Sequence, residues 1–137
     1  MYAEIENIHA MAKIIKEGRQ ELTRAELEIM QVIWKKGKVL VHDILEEMPE
    51  PRPAYNTVST IVRILESKGF VSHKAYGRTY EYFPLVAKEE YTGTYMRTVL
   101  DNFFDGSVSR MVNFFSSQQS ISTEETDEIL RILKSGK

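Results

Sequence analysis

Cysteine is absent from this 137-residue sequence, proline occurs only four times, and no long uninterrupted apolar run is present. The lack of cysteine excludes disulfide bonds and thiolate metal sites. Three histidines, His9, His42 and His73, are too widely separated to indicate a metal site, and we interpret them as surface or partly packed imidazoles. The lack of apolar runs predicts no direct membrane insertion and no signal peptide, which makes the cytoplasm the expected location.

Catalytic motifs are also missing. The sequence contains no glycine-rich phosphate loop, no His-x-x-x-His spacing and no cysteine nucleophile. Asp101 and Asp105 are better explained as the solvated edge of a helix than as an acid–base pair. We therefore expect a protein that is not an enzyme, has no catalytic residues and needs no metal or other cofactor.

The formal net charge is only −2, but the charges are unevenly distributed. Residues 51–80 contain five Lys or Arg side chains against one acidic residue, whereas residues 1–50 contain seven against ten. A basic segment in an otherwise acidic chain is expected to neutralise DNA phosphates without general binding to polyanions. The side chains expected to do so are Arg52, Arg63, Lys68, Lys74 and Arg78, with His73 among them.

The basic segment contains a predicted helix with one apolar and one polar face. Three-and-four spacing predicts a buried face that consists of Val58, Ile61, Val62 and Leu65. The opposite face offers short amides, hydroxyls and one guanidinium, which match the donors and acceptors on base edges in a major groove. The predicted DNA-binding residues are Arg52, Tyr55, Asn56, Thr57, Ser59, Thr60, Arg63, Lys74 and Arg78. The alternatives are an ordinary polar surface helix and a winged helix that binds only protein.

Two shorter helical patterns precede this helix. Thr23 and Glu26 form a capping-box pattern that opens the first helix, and Gly37 ends it. The second helix is expected from about Val41 to Met48, because a run of prolines then prevents its continuation.

A β-hairpin is predicted after the third helix. Gly69 suits the left-handed end of that helix, and Phe70–Tyr76 and Thr79–Phe83 are rich in β-branched and aromatic residues. The Gly-Arg pair between them suits a two-residue turn with glycine first. The expected fold is therefore mostly α with a small β-hairpin: a winged helix-turn-helix DNA-binding domain followed by a C-terminal helical dimerisation region.

The stretch from Leu22 to Leu85 resembles the penicillinase-repressor family of bacterial transcription regulators, the BlaI/MecI/CopY group. The matching motifs are LTRAELEIMQVIW, YNTVSTIVRILESKGFVSHKAYGRTYEYFP and, in the trailing helical segment, MVNFF. The resemblance implies a homodimeric repressor that binds double-stranded, inverted-repeat operator DNA with the third helix and wing of each subunit. The lack of cysteine separates the chain from the copper-responsive branch, whose members carry a C-terminal cysteine cluster.

Apolar stripes at helical spacing continue to the C-terminus. Short helices with so much apolar surface are expected to pair with a second subunit, and packing onto the winged domain is the alternative. The predicted dimer-interface residues are Tyr91, Tyr95, Val99, Phe103, Val108, Met111, Val112, Phe115, Ile129 and Leu133.

These patterns divide the chain into three parts. Residues 1–21 form an N-terminal extension, residues 22–87 the winged-helix DNA-binding domain and residues 88–137 the helical dimerisation region. Within the extension, apolar spacing over residues 3–17 predicts an amphipathic helix, and Met11 is an alternative natural start.

The family resemblance also implies how repression ends. A membrane sensor-protease cuts such repressors at an Asn-Phe bond in the dimerisation region, and the matching bond joins Asn113 to Phe114. The alternative is a winged-helix regulator that a small ligand at the dimer interface releases from DNA.

Overall fold

A computed structural model describes residues 21–118 and 121–135. The amphipathic helix expected over residues 3–17 lies outside these described residues. The elements, in chain order, are α1 (Arg24–Lys36), α2 (Val41–Glu47), α3 (Tyr55–Ser67), β1 (Val71–Tyr76), β2 (Thr79–Pro84), α4 (Lys88–Phe104), α5 (Val108–Ser117) and α6 (Thr123–Lys134). The expected fold, mostly α with a small hairpin and a winged helix-turn-helix, is confirmed. One compact unit ends at Tyr95 and a second begins at Met96.

The capping box at the start of α1 forms as the sequence predicts. Thr23 Oγ1 accepts a 3.1 Å hydrogen bond from the Glu26 N–H, and the Glu26 carboxylate accepts one of 2.9 Å from the Thr23 N–H. These bonds satisfy two backbone donors that the first turn of a helix leaves unpaired. Gly37 ends the helix at a φ of 85°, a left-handed conformation that favours glycine.

The core of the first unit is built from one apolar face of each of its first three helices and from the start of the hairpin. Burying each such side chain stabilises the fold by about 1.5 to 3 kcal/mol. The side chains that are almost completely buried include Ile29, Met30, Ile33, Ile44, Val58, Val62, Leu65, Phe70 and Val71. The apolar side of α3 is thereby held against α1 and α2, which leaves its polar side facing outward.

The hairpin has the predicted two-residue turn. Tyr76 pairs with Thr79, and Gly77, at a φ of 65°, is the first turn residue. The base of the hairpin gains a third partner that the sequence did not reveal. Val39 forms an isolated bridge with Tyr82, in which each N–H donates to the other carbonyl at 2.9 and 2.7 Å.

Tyr91 is buried in the core of the first unit, which corrects its predicted role in the dimer interface. Its ring lies 6.1 Å from that of Trp34 and 5.7 Å from that of Phe70, measured between centroids. Its hydroxyl accepts a 3.0 Å hydrogen bond from the Leu22 N–H. These contacts bury the ring within the first unit, and they explain why that unit includes the start of α4.

Lys68 is held by a buried carboxylate, which corrects its expected role at DNA phosphates. Its Nζ lies 2.9 and 3.0 Å from the two carboxylate oxygens of Glu26. Burial by itself raises the pKa of Glu26. The hydrogen bond from the Thr23 backbone and the Lys68 ammonium together outweigh burial and lower this pKa below 4.5.

We expect Glu26→Gln to lower the free energy of unfolding by about 1 to 3 kcal/mol at neutral pH, because the Lys68 ammonium loses its carboxylate. Since the folded-state pKa of Glu26 is depressed, this stabilisation is present above about pH 4.5 and is lost as the pH falls through the folded-state value. Urea unfolding at neutral and acid pH, at one protein concentration, measures both effects. The control is Glu28→Gln, whose exposed pair with Arg24 contributes below about 0.5 kcal/mol. Equal losses in the two variants would contradict the prediction.

The second unit consists of the rest of α4 with α5 and α6. Ser107 and Ser122 cap α5 and α6, since their hydroxyls accept hydrogen bonds from backbone N–H groups of the first turn. Large exposed apolar side chains in this unit are Met96, Phe103, Val108, Phe114, Phe115, Leu130, Ile132 and Leu133. Among the described residues, no helix combines the length and the apolar character needed to cross a bilayer.

Candidate nucleic-acid interface

The polar stripe of α3 is exposed. Asn56, Thr60 and Arg63 are exposed, and Ser59 is half-buried at the edge of the stripe. The Arg63 guanidinium lies 3.5 Å from Ser59 Oγ, one helical turn away, which directs it along the helix surface. The stripe therefore offers an amide, two hydroxyls and a guanidinium on one face of a 13-residue helix.

The exposed stripe of α3 is longer than the sequence predicted. Ile64 is 40% exposed, and Ser67 is exposed on the last turn of α3. Helical spacing in the sequence could have predicted both positions. Ile64 follows Thr60 by four residues, about one turn, and Ser67 follows Arg63 by the same interval. An exposed apolar side chain on this face can contact a thymine methyl group.

A shallow groove of about 220 Å³ joins α3 to the hairpin. Tyr55 and Ser59 line it from α3, and Arg78 and Tyr80 line it from the hairpin. The structure thus brings the arginine of the hairpin turn to the same side of the molecule as the start of α3. His42, at the start of α2, also lines the groove, and neither it nor Tyr80 was predicted as a site residue.

Three of the nine predicted DNA-binding residues, Tyr55, Ser59 and Arg78, line this groove, and two of the others, Thr57 and Arg52, face elsewhere. Thr57 is on the opposite edge of α3, beside a second groove lined by Pro49, Pro51 and Pro53. The Arg52 guanidinium lies 3.5 Å from the Glu50 carboxylate and 3.5 Å from the Glu46 carbonyl oxygen. The structure therefore does not place either side chain next to the hairpin.

The hairpin carries basic groups on both faces, and only one face is turned towards α3. Lys74 pairs with Glu81 across the strands, and its Nζ lies 5.4 Å from the Tyr76 ring centroid. His73 is on the other face, where its Nδ1 lies 2.7 Å from the Glu66 carboxylate of α3. This contact corrects the expectation that His73 faces DNA phosphates, since its ring nitrogen is directed to Glu66.

Tyr82 lies at the floor of the groove. Its burial raises the pKa of its hydroxyl, and the Glu66 carboxylate raises it further, while the Arg63 guanidinium acts weakly in the opposite direction. The phenol is therefore neutral at physiological pH. Arg78 is the groove-lining side chain that offers a polyanion a permanent positive charge.

Two curated relatives each match more than four fifths of the chain. The penicillinase repressor of Bacillus licheniformis is 29% identical over 118 residues, which cover 85% of this chain and 92% of that protein. The methicillin resistance regulatory protein MecI of Mammaliicoccus sciuri is 26% identical over 114 residues, which cover 82% of this chain and 93% of that protein.

Two solved structures each match about half of the chain. The solution structure of the DNA-binding domain of the repressor BlaI is 28% identical, with a TM-score of 0.46, and covers 51% of this chain and 87% of that one. The monomeric form of Bacillus licheniformis BlaI in complex with the blaP half-operator is also 28% identical, with a TM-score of 0.44, and covers 52% and 88%. The family model described as penicillinase repressor matches residues 22–135, so the chain belongs to the penicillinase repressor family.

Proposed function

We propose that the protein is a homodimeric transcriptional repressor that binds inverted-repeat operator DNA through α3 and the hairpin. The observation that carries the proposal is the exposed polar stripe of α3 with Arg78 across the adjoining groove. A helix of this kind fits the major groove, where its amides, hydroxyls and guanidinium can pair with base edges. The hairpin arginine then lies next to the DNA backbone and can contact phosphate. Relatives named as repressors support the regulatory role.

Dimerisation is proposed through the second unit. Exposed apolar side chains such as Phe103, Phe115 and Leu133 occur on all three of its helical segments. Apolar surface of this extent on short helices is typical of a subunit interface. The predicted interface residues other than Tyr91 are all exposed or half-buried, so they are free to take part. A dimer with a two-fold axis presents two copies of α3 to two half-sites.

Selection of genomic DNA fragments by the purified protein, followed by sequencing, tests this function. We expect enrichment of inverted repeats whose half-sites lie about one helical turn, or 10 base pairs, apart, because a symmetric dimer requires symmetric DNA. Gel-shift titration with one selected operator gives the stoichiometry, which should be two chains for each operator. No enrichment of any sequence, or one chain bound to an unrepeated site, would contradict the proposal.

Release from DNA is proposed to occur by cleavage between Asn113 and Phe114, carried out by a membrane sensor-protease. The bond lies inside α5, where the Phe114 carbonyl oxygen accepts hydrogen bonds from the Gln118 N–H and the Ser117 hydroxyl. The Phe114 ring also packs against that of Phe104, 5.7 Å away between centroids. A protease binds an extended chain, so this helical segment has to open locally before it is cut.

Cleavage at this bond removes residues 114–137 from the proposed interface. The lost part contains Phe115 and the whole of α6, with its exposed Ile132 and Leu133. Because association depends on apolar area, the remaining chain is expected to dimerise weakly, and operator occupancy falls by mass action. This makes the proposed release irreversible.

A further inference from the structure

Glu66 is the single acidic residue of the basic segment that spans residues 51–80. It lies on α3, the proposed reading helix, where a carboxylate near DNA phosphates opposes binding. The structure shows what this carboxylate contacts. Glu66 Oε2 accepts a 2.7 Å hydrogen bond from His73 Nδ1 on β1, and both side chains are only 29% exposed.

The contact continues from His73 to the second strand of the hairpin. The His73 ring stacks on the Tyr80 ring, with centroids 4.2 Å apart and an angle of 15° between the planes. Tyr80 lines the groove together with Arg78. A continuous series of side-chain contacts therefore connects α3 with the part of the hairpin that carries the proposed phosphate contact.

A second contact holds the hairpin at its base. The Val39 and Tyr82 backbones exchange two hydrogen bonds, which fix one position along β2. Tyr82 is the register partner of His73, so the Glu66–His73 contact holds the β1 edge of the hairpin at the same level at which Val39 holds its β2 edge. With both edges held, the ribbon is less free to rotate about its long axis, and the outer part of the hairpin, which carries Arg78, keeps its direction relative to α3.

We propose that Glu66 and His73 are a positioning pair that sets the hairpin relative to α3, so that Arg78 and the α3 stripe reach the same DNA segment together. The inference rests on the proposed function. It assigns to Glu66 a positive effect on DNA affinity that is opposite in sign to the effect of its charge. Such positioning lowers the cost of ordering the hairpin on binding.

The test is a gel-shift titration of full-length variants on a selected operator. Glu66→Ala should weaken binding about tenfold, although it removes a negative charge, because the charge-assisted hydrogen bond to His73 is lost. Glu66→Gln should bind at least as tightly as the parent, since its amide oxygen accepts the His73 Nδ1–H bond without the charge. The matched control is Glu81→Ala, which removes a carboxylate from the same hairpin without touching α3 and should not weaken binding.

A double-mutant cycle separates positioning from a general loss of stability. In the Arg78→Ala background, Glu66→Ala should cost less than about twofold, because the contact that the pair positions is already missing. In the Asn56→Ala background, the same substitution should keep its full effect. Circular dichroism melting of each variant verifies that the compared proteins are folded.

Several results would overturn the positioning role. One is Glu66→Ala binding as tightly as the parent or more tightly. Another is an unchanged loss in the Arg78→Ala background. Parent protein that selects no operator contradicts the proposed function itself, whereas parent protein that binds its operator while Glu66→Ala has no effect contradicts the positioning pair alone.

Discussion

A chain that ends after Asn113 is expected to bind the two-half-site operator roughly a hundredfold or more weakly than the full chain. This fragment keeps the first unit with α3 and the hairpin, but it lacks Phe115 and α6 of the proposed interface. Without a stable dimer the two half-sites are bound independently, and the gain from linking them is lost. Sedimentation gives the association state and gel-shift titration gives the affinity of both forms.

The control is a DNA duplex with one half-site, to which the fragment and the full chain should bind similarly. A fragment that still sediments as a dimer and retains operator affinity would contradict the proposed interface.

In cells, mass spectrometry after induction should find a product that ends at Asn113. An intact chain in cells whose target genes are fully derepressed would instead favour release by a small ligand.

The double substitution Asn56→Ala with Arg63→Ala is expected to lower operator affinity about a hundredfold. Each base-reading side chain contributes roughly 1 to 3 kcal/mol, and the two lie almost two turns apart on one face of α3. Affinity for a scrambled duplex should fall much less, because only the phosphate component of the Arg63 contact is lost there. Gel-shift titration on both duplexes at one salt concentration measures the specificity ratio.

Gln31→Ala is the matched control for this experiment, since Gln31 is an exposed polar residue on α1 away from the stripe. Gln31→Ala should change neither the affinity for the operator nor the affinity for the scrambled duplex. If the double variant binds the operator as tightly as the parent, α3 is not the reading helix. An equal loss on both duplexes would mean that α3 contacts the DNA backbone without reading its sequence.

The elements most accurately predicted from the sequence are those that local chemistry decides. Thr23 and Glu26 cap α1 because their spacing places each side chain next to the other's backbone N–H. Gly37 and Gly77 adopt the left-handed conformations expected at a helix end and a hairpin turn. The exposed stripe of α3 follows from the same kind of argument, since the apolar face must be buried and the polar face is then exposed.

Two of the three corrected residues, Lys68 and Tyr91, have partners that are distant in the sequence. Lys68 and His73 were expected at phosphate because they are basic and lie in a basic segment, yet each is paired with a carboxylate. The partner of Lys68 lies 42 residues away, and no local pattern indicates that pairing. Tyr91 was assigned to the dimer by its helical spacing, and its hydrogen bond to Leu22 spans 69 residues.

Sequence alone therefore determined the order of elements, the capping box of α1, the hairpin turn and the polar face of α3, because each depends on residues within a few positions of one another. Tertiary structure decided that Arg78 lies beside the groove, whereas Lys68 is paired with Glu26 and His73 contacts Glu66. It also decided that the hairpin contacts α3 through Glu66 and His73. The physical reason is that burial and charge pairing depend on which surfaces come into contact when the chain folds. Local sequence patterns do not specify contacts between residues that are far apart in the chain.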